Sequence, residues 1–135
     1  MLALIVVVSA IGVTLFIQRP AHEDELAIPI GELRSQGFEL KLLNDYAGHG
    51  RDRRFVTAHA RQLAQSIARA RDELTSLKPT PQLAATRAAA LQRSAPWADA
   101  AAQLGAGDAR LAPASAAQVV AAAEQLKALE DALKR

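Results

Sequence analysis

Three histidines and their acidic neighbours are the first candidates for chemistry, because imidazole and carboxylate groups bind metal ions. His22 is followed directly by Glu23 and Asp24. Successive side chains of an extended segment point to opposite sides, so these three are not expected to converge on one ion. His49 lies between two glycines, and His59 has no second ligand three or four residues away, the spacing that places ligands on one helix face. We therefore expect no metal site and no cofactor.

Nucleophilic catalysis requires a nucleophile that contacts a base, and a third group that orients the base. The serines are scattered and fit none of the patterns G-x-S-x-G, S-x-x-K or H-E-x-x-H. The chain contains no cysteine, which excludes a thiol nucleophile, a disulfide framework and Cys-ligated metal centres. The segment Gly105-Ala106-Gly107 lacks the third glycine and the preceding strand of a dinucleotide-binding loop. These absences predict a protein that is not an enzyme.

A group of arginines is the remaining candidate for recognition: Arg51, Arg53, Arg54 and Arg61. Such a group could bind anionic lipid or nucleic acid, but no recognised nucleic-acid-binding motif and no interleaved aromatic pattern accompanies it. The formal net charge of the whole chain is only +2, which says little about an acidic partner. We expect a surface or inter-helix role for these arginines and no nucleic-acid binding. The candidate contact with a partner protein consists of Arg51, Arg53, Arg54 and His49.

The residues that could carry a site must be positioned by the rest of the chain, which begins with a long apolar run. Met1 to Ile17 contains no charged side chain and only two hydroxyls. As a helix, this run is about 25 Å long, near the lower limit for crossing a bilayer. No small-x-small cleavage site follows it, so an uncleaved signal-anchor is favoured over a cleaved signal peptide. The sequence therefore predicts a single-pass protein of the inner or plasma membrane that contacts the lipid bilayer through residues 1–17.

The side of the membrane on which the body lies is predicted less directly. Only Arg19 and Arg34 flank the apolar run on its carboxyl side, and no basic side chain precedes it. Read literally, the positive-inside rule would keep the body in the cytoplasm. Two widely spaced arginines make a poor retention signal, however, and an N-terminal apolar segment is the usual route into export. We expect an extracytoplasmic, periplasmic body.

The remainder of the chain is long enough for one domain. Residues 18–29 form an acidic, proline-ended segment, interpreted as a juxtamembrane linker, and residues 30–135 form the body. Alanine, the best helix former and a poor strand former, dominates from Leu83 onward. The predicted fold class is therefore all-α: a transmembrane helix followed by a small antiparallel bundle of roughly four helices.

Apolar residues at spacings of three and four predict the first two helices of this bundle. The first helix runs from Ile30 to about Ala47, and Gly37 either bends it or admits another helix closely. Its predicted apolar face is Ile30, Leu33, Gly37, Leu40 and Leu43, widened by Phe38, Leu42 and Tyr46. The second is capped by Asp52 and carries a seam that suits a coiled coil or an antiparallel bundle. The seam is Val56, Ala60, Leu63, Ile67, Ala70, Leu74 and Leu77.

Capping signals predict where the later helices begin. Thr80-Pro81 starts a third helix, which Pro96 interrupts, and Ser94 is expected to cap its short continuation to Leu104. Ser115 and Gln118 form a capping box for the last helix. Its expected stripe is Val119, Ala122, Leu126, Leu129 and Leu133, with a surface pair between Glu130 and Lys134.

Without motifs for chemistry, the sequence favours a binding role. We expect a membrane-tethered, non-catalytic helical module that acts as an adaptor, tether or accessory subunit for a membrane or extracytoplasmic protein. Two alternatives remain open: a bundle that senses a small molecule between its helices, and an exported structural protein whose signal is removed. Ala10 and Thr14 form a small-x-x-x-small pair in the apolar run, which leaves homo-oligomerisation open.

Overall fold

The part of the chain that the structure describes is all-helical, as predicted. A computed structural model describes residues 19–50, 52–107 and 110–135. In chain order, its helices are α1 (Glu23–Gly48), α2 (Arg53–Ser76), α3 (Pro81–Ser94), α4 (Trp97–Gly105) and α5 (Pro113–Leu133). The β-type pairing within these ranges is an isolated bridge between Ala21 and Pro79.

The predicted membrane anchor is not among the described residues. Met1 to Ile17 precedes Arg19, where the description begins. In the ranges that are described, none of the helices has both the length and the apolarity required to cross a bilayer.

Helix α1 begins earlier than its sequence pattern predicted. The first helix was predicted to begin at Ile30; α1 instead begins at Glu23, within the segment interpreted as a linker, and runs through Pro29. A proline inside a helix removes one backbone hydrogen bond and crowds the preceding turn. Here, burial of Pro29 and of its neighbours Leu26 and Ile30 offsets that cost. Local signals therefore suggested a break that tertiary packing overrides.

The residues just before α1 are also held against the body. The His22 backbone N–H donates to the Glu25 carboxylate at 2.8 Å, as in one half of a capping box. The Ala21 N–H donates to the Lys78 carbonyl oxygen at 2.7 Å, and Ala21 is buried. This hydrogen bond joins the start of α1 to the connection between α2 and α3.

The helices form an antiparallel bundle of four rods. Helices α3 and α4 make one bent rod, because Ala95 and Pro96 between them keep near-helical backbone dihedrals. Helix α1 packs on α2 and on α5, and α2 packs on α4. Glu32, near the start of α1, lies 3.8 Å from Arg69 near the end of α2. Helices α1 and α2 therefore run in opposite directions. Contacts between α1 and α5, and between α2 and the bent rod of α3 and α4, likewise join the start of one helix to the end of the other.

The buried positions confirm most of the predicted seams. In α2, the buried residues are Val56, Ala60, Leu63, Ile67, Ala70 and Leu74. The predicted inner face of α1 is likewise buried: Ile30, Leu33, Gly37, Leu40 and Leu43. Leu42 and Tyr46, which were expected to widen that face toward the core, are instead exposed. The apolar surface of α1 is therefore wider than the core that it contacts.

Gly37 allows three helices to approach one another closely. A Cβ atom at this position would lie 2.6 Å from Trp97 Cη2 and 3.1 Å from Ala123 Cβ. Trp97, the first residue of α4, is fully buried against this glycine. The prediction that Gly37 admits another helix closely is thus correct, and the group that packs against the glycine is the indole ring of Trp97.

The starts of the later helices were predicted unevenly. Helix α3 begins at Pro81 after Thr80, as expected. Helix α5 begins at Pro113, so the predicted capping role of Ser115 is wrong: proline at the first helical position presets the helical φ angle two residues earlier. Ser94 does not cap α4 either, because it is the buried last residue of α3 and its hydroxyl donates to the Ala90 carbonyl.

Candidate functional site

The predicted contact residues lie at the end of the bundle where α1 connects to α2. His49 is the C-cap of α1, and its Nδ1 lies 2.6 Å from the Asp45 carbonyl oxygen. The Arg53 guanidinium donates to the Gly107 carbonyl oxygen at 3.0 Å. Arg54 is exposed, and its backbone N–H donates to the Asp52 carboxylate that caps α2. Arg51, the fourth predicted residue, lies outside the described residues.

Other arginines of α2 hydrogen-bond helix ends and are not collected into one binding patch. Arg61 Nε donates to the Gly105 carbonyl oxygen at 3.1 Å, at the end of α4. Arg71 donates to the Leu91 carbonyl oxygen at 2.6 Å and to the Ser94 hydroxyl at 2.7 Å, at the end of α3. The last carbonyl groups of a helix lack partners within it and carry partial negative charge. The inter-helix role expected for these basic residues thus consists largely of capping the bent rod.

Two contacts join acidic side chains of α1 to basic side chains of α2. One is the Glu32–Arg69 pair described above. The other joins Glu39 and His59, whose Oε1 and Nε2 atoms lie 2.6 Å apart. The second pair is half-exposed and lies beside the apolar residues that the core leaves uncovered.

Those uncovered residues line a groove between α1 and α2 that the sequence analysis did not predict. The hairpin groove is lined by Glu39, Leu42, Leu43, Tyr46, Phe55 and His59, and its volume is about 320 Å³. Leu42 is 66% exposed, Phe55 is 52% exposed and Tyr46 is 37% exposed. Large apolar side chains that share one exposed groove are typical of a contact surface.

The aromatic side chains of the hairpin groove are ordered by one another. The rings of Tyr46 and Phe55 meet edge to face, with centroids 5.6 Å apart. The rings of Phe55 and His59 stack at the same centroid distance with an interplanar angle of 11°. His59 in turn contacts Glu39, so the groove is lined by aromatic rings at one end and by a polar pair at the other. This arrangement presents a prepared surface, because the side chains already hold one another in place.

One sequence signal could have found part of this groove. Phe55 precedes Val56, the first member of the α2 seam, and therefore falls outside the buried stripe. Leu42 and Tyr46 gave no such signal, because their spacing in α1 is that of buried residues. They are exposed because no other rod covers this side of α1, which local spacing does not encode.

The Glu130 carboxylate is used within the fold. Glu130 was predicted in a surface pair with Lys134. The pair forms, but the Glu130 side chain is only 6% exposed and also lies 3.0 Å from Arg34 Nη1. A Cβ on Gly31 would lie 2.9 Å from Glu130 Oε1, so this glycine gives the carboxylate room. Glu130 occupies an inward position of α5 and joins its end to the start of α1.

Hydroxyl groups and potential metal ligands show a similar pattern. The hydroxyls of Ser35, Thr75 and Ser76 each donate to a carbonyl within their own helix. Over the ranges that the structure describes, no three histidine, aspartate or glutamate side chains lie close enough together to hold a metal ion. Among the described residues, the hairpin groove and the basic end beside it form the candidate site.

Comparison with known proteins adds no second line of argument. No protein-family model, no curated protein and no solved structure matches this chain.

Proposed function

We propose that this chain is a membrane-tethered, non-catalytic helical module that acts as an adaptor, tether or accessory subunit by binding another protein. The hairpin groove carries this proposal, because Leu42, Tyr46 and Phe55 share one exposed, nearly apolar surface. In a small protein such a surface would favour aggregation unless it served a contact. His49, Arg53 and Arg54 lie at the same end of the bundle and add polar contacts around the apolar centre.

The apolar run Met1 to Ile17 supports the tether. A body held at the membrane meets a membrane partner at a raised effective concentration, so even a weak contact surface suffices. From Glu23 to Tyr46, α1 extends about 35 Å along its axis. The hairpin groove therefore lies at the end of α1 remote from the tether, on a body that we place in the periplasm.

Photo-crosslinking in intact membranes tests the protein-binding role. A photoreactive amino acid replaces Leu42 or Phe55 in the groove, and as matched controls it replaces Ala88 on α3 or Ala128 on α5, both exposed. The proposal expects one discrete adduct from both groove positions and none from the controls. Absence of a groove-specific adduct, or an equal adduct from all four positions, contradicts it.

The tether and its orientation are tested separately. Intact-mass analysis of the membrane-extracted protein should find Met1 to Ile17 still attached. A mature start near Arg19 would mean a cleaved signal. Alkaline phosphatase fused after Arg135 folds actively only when exported, so an active fusion is expected. An inactive fusion together with a fluorescent cytoplasmic reporter would place the body in the cytoplasm.

A further inference from the structure

The dimensions of the hairpin groove suit a particular kind of ligand. The groove runs between two antiparallel helices, from the Glu39–His59 pair to the Tyr46–Phe55 pair. Seven residues of α1 separate Glu39 from Tyr46, which corresponds to about 10 Å, or two helical turns. A ligand helix with apolar side chains at spacings of three, four and seven residues presents a row of the same length. Such a helix would lie in the groove as an additional rod of the bundle.

Charge at one end of the groove specifies the ligand further. The Arg54 guanidinium contacts no described residue through a hydrogen bond or an ion pair and lies in the same first turn of α2 as Phe55. The Arg53 guanidinium donates to the Gly107 carbonyl oxygen and forms no ion pair with a described residue. The Arg110 side chain lies over Gly48, where an added Cβ would be 3.0 Å from its Cζ. The three guanidinium groups outnumber the one described carboxylate beside them, that of the α2 cap Asp52, so this end of the hairpin is basic and favours an acidic ligand.

Two other occupants fit these observations less well. A second copy packed groove against groove about a two-fold axis parallel to the helices would bring Arg53 and Arg54 toward their own counterparts, and such like-charge contacts are unfavourable. A bilayer would have to reach the end of α1 remote from Arg19, about 35 Å along the helix from Glu23. Both geometries favour a separate protein segment.

From these observations we infer that the hairpin groove binds an amphipathic helix of the partner. Its apolar row contacts Leu42, Tyr46 and Phe55, and acidic residues at one end of that helix pair with Arg53 and Arg54. This inference rests on the proposed function, because it names the class of partner segment that the adaptor would bind.

Two designed peptides test the inference against the full chain in mild detergent. Both are helices of about four turns with the same leucine row; one carries three glutamates at one end and the other carries three lysines there. Fluorescence anisotropy should show that the glutamate peptide binds at least about tenfold more tightly, a difference of about 1.4 kcal/mol. Phe55→Glu should abolish binding of this peptide.

Charge-reversal variants show whether the peptide preference depends on Arg53 and Arg54 or on the total charge of the protein. R53E together with R54E should reverse the preference between the two peptides. The matched control is R69E, which changes an exposed arginine of α2 near the opposite end of the hairpin and should leave the preference in place. Equal binding of the two peptides, binding of neither, or loss of preference in R69E as well would overturn the inference.

The experiments distinguish failure of the acidic-helix inference from failure of the protein-binding role. A groove-specific crosslink in membranes, combined with no preference for the glutamate peptide, would keep the protein-binding role and overturn the acidic helix. Absence of the crosslink contradicts the role itself. A dimer of the full chain that Phe55→Glu converts to monomer would assign the groove to a second copy and also overturn the inference.

Discussion

Two surfaces of α1 have similar residues and different surroundings. The inner surface bears Leu33 and Leu40, which are fully buried, and Gly37, over which Trp97 packs. The outer surface bears Leu42, which is largely exposed beside α2. Both surfaces are apolar and both have helical spacing. Apolarity alone therefore does not decide whether a residue is core or contact surface; the decision depends on whether another rod covers it.

The arginines of α2 show the same contrast. Arg61 and Arg71 reach the carbonyl ends of α4 and α3 and thereby hold the bent rod in place. Arg54 lies in the first turn of α2 and makes no such contact with a described residue. If the contrast is correct, substitutions on the covered side should change stability, and substitutions on the uncovered side should change binding.

The largest loss of stability is expected in the α2 seam. Ile67→Ala and Leu63→Ala should each lower the free energy of unfolding by about 2–5 kcal/mol, because each removes a buried side chain and leaves a cavity. Chemical unfolding followed by circular dichroism measures the loss. A change below about 0.5 kcal/mol, as is usual for surface positions, would contradict the seam assignment.

A smaller loss is expected where Trp97 meets α1. Gly37→Ala places a methyl group within 2.6 Å of the indole and should cost about 1–3 kcal/mol through overpacking. The control is Gly48→Ala, whose added Cβ would meet only the Arg110 side chain at 3.0 Å. Both substitutions gain helix propensity, so their difference isolates the contact with Trp97. Equal unfolding free energies for the two variants would mean that the close approach is not limiting.

The contrast among the arginines predicts a third, smaller effect. Arg61→Met keeps an apolar stem against Gly105 and removes the hydrogen bond to its carbonyl oxygen. The expected loss is about 0.5–1.5 kcal/mol, the usual net value of one hydrogen bond. Arg54→Met should change the free energy of unfolding by less than about 0.5 kcal/mol. A larger effect from Arg54 than from Arg61 would reverse the assignment of the two side chains.

The smallest effect on stability should accompany the largest effect on binding. Leu42→Ser replaces a side chain that is mostly in solvent, so the free energy of unfolding should change by less than about 0.5 kcal/mol. The same substitution should eliminate the crosslink formed from Phe55. Unfolding and crosslinking measured on one preparation give both values. A large loss of stability would show that Leu42 belongs to the core after all.

Local spacing predicted those elements whose signals agree with their packing. The α2 seam and the Thr80-Pro81 start are of this kind, since apolar period, cap and proline all indicate the same boundaries. The start of α1 was missed because Pro29 indicates a break locally, whereas burial of Leu26 and Ile30 favours continuation. A sequence window contains the first signal and not the second.

The candidate site was less accessible to sequence reasoning than the fold. The sequence grouped His49, Arg53 and Arg54 as a candidate contact, and the structure places these three at one end of the bundle. The use of Arg53 for a carbonyl 54 positions away along the chain could not be identified, because it depends on the path of the bent rod. The exposure of Leu42 likewise depends on how all the rods are arranged, so the groove cannot be predicted from one helix alone.

The hydrogen bond between Ala21 and Lys78 has a mechanical consequence. A force applied to the chain at Arg19 reaches the first turn of α1 and, through this bond, also the connection between α2 and α3. The load is then divided between two rods that run in opposite directions, so that α1 cannot be peeled away from its first residue without first breaking a buried contact. A pull at Arg19 would therefore be resisted at two places in the body and not at the first turn of α1 alone.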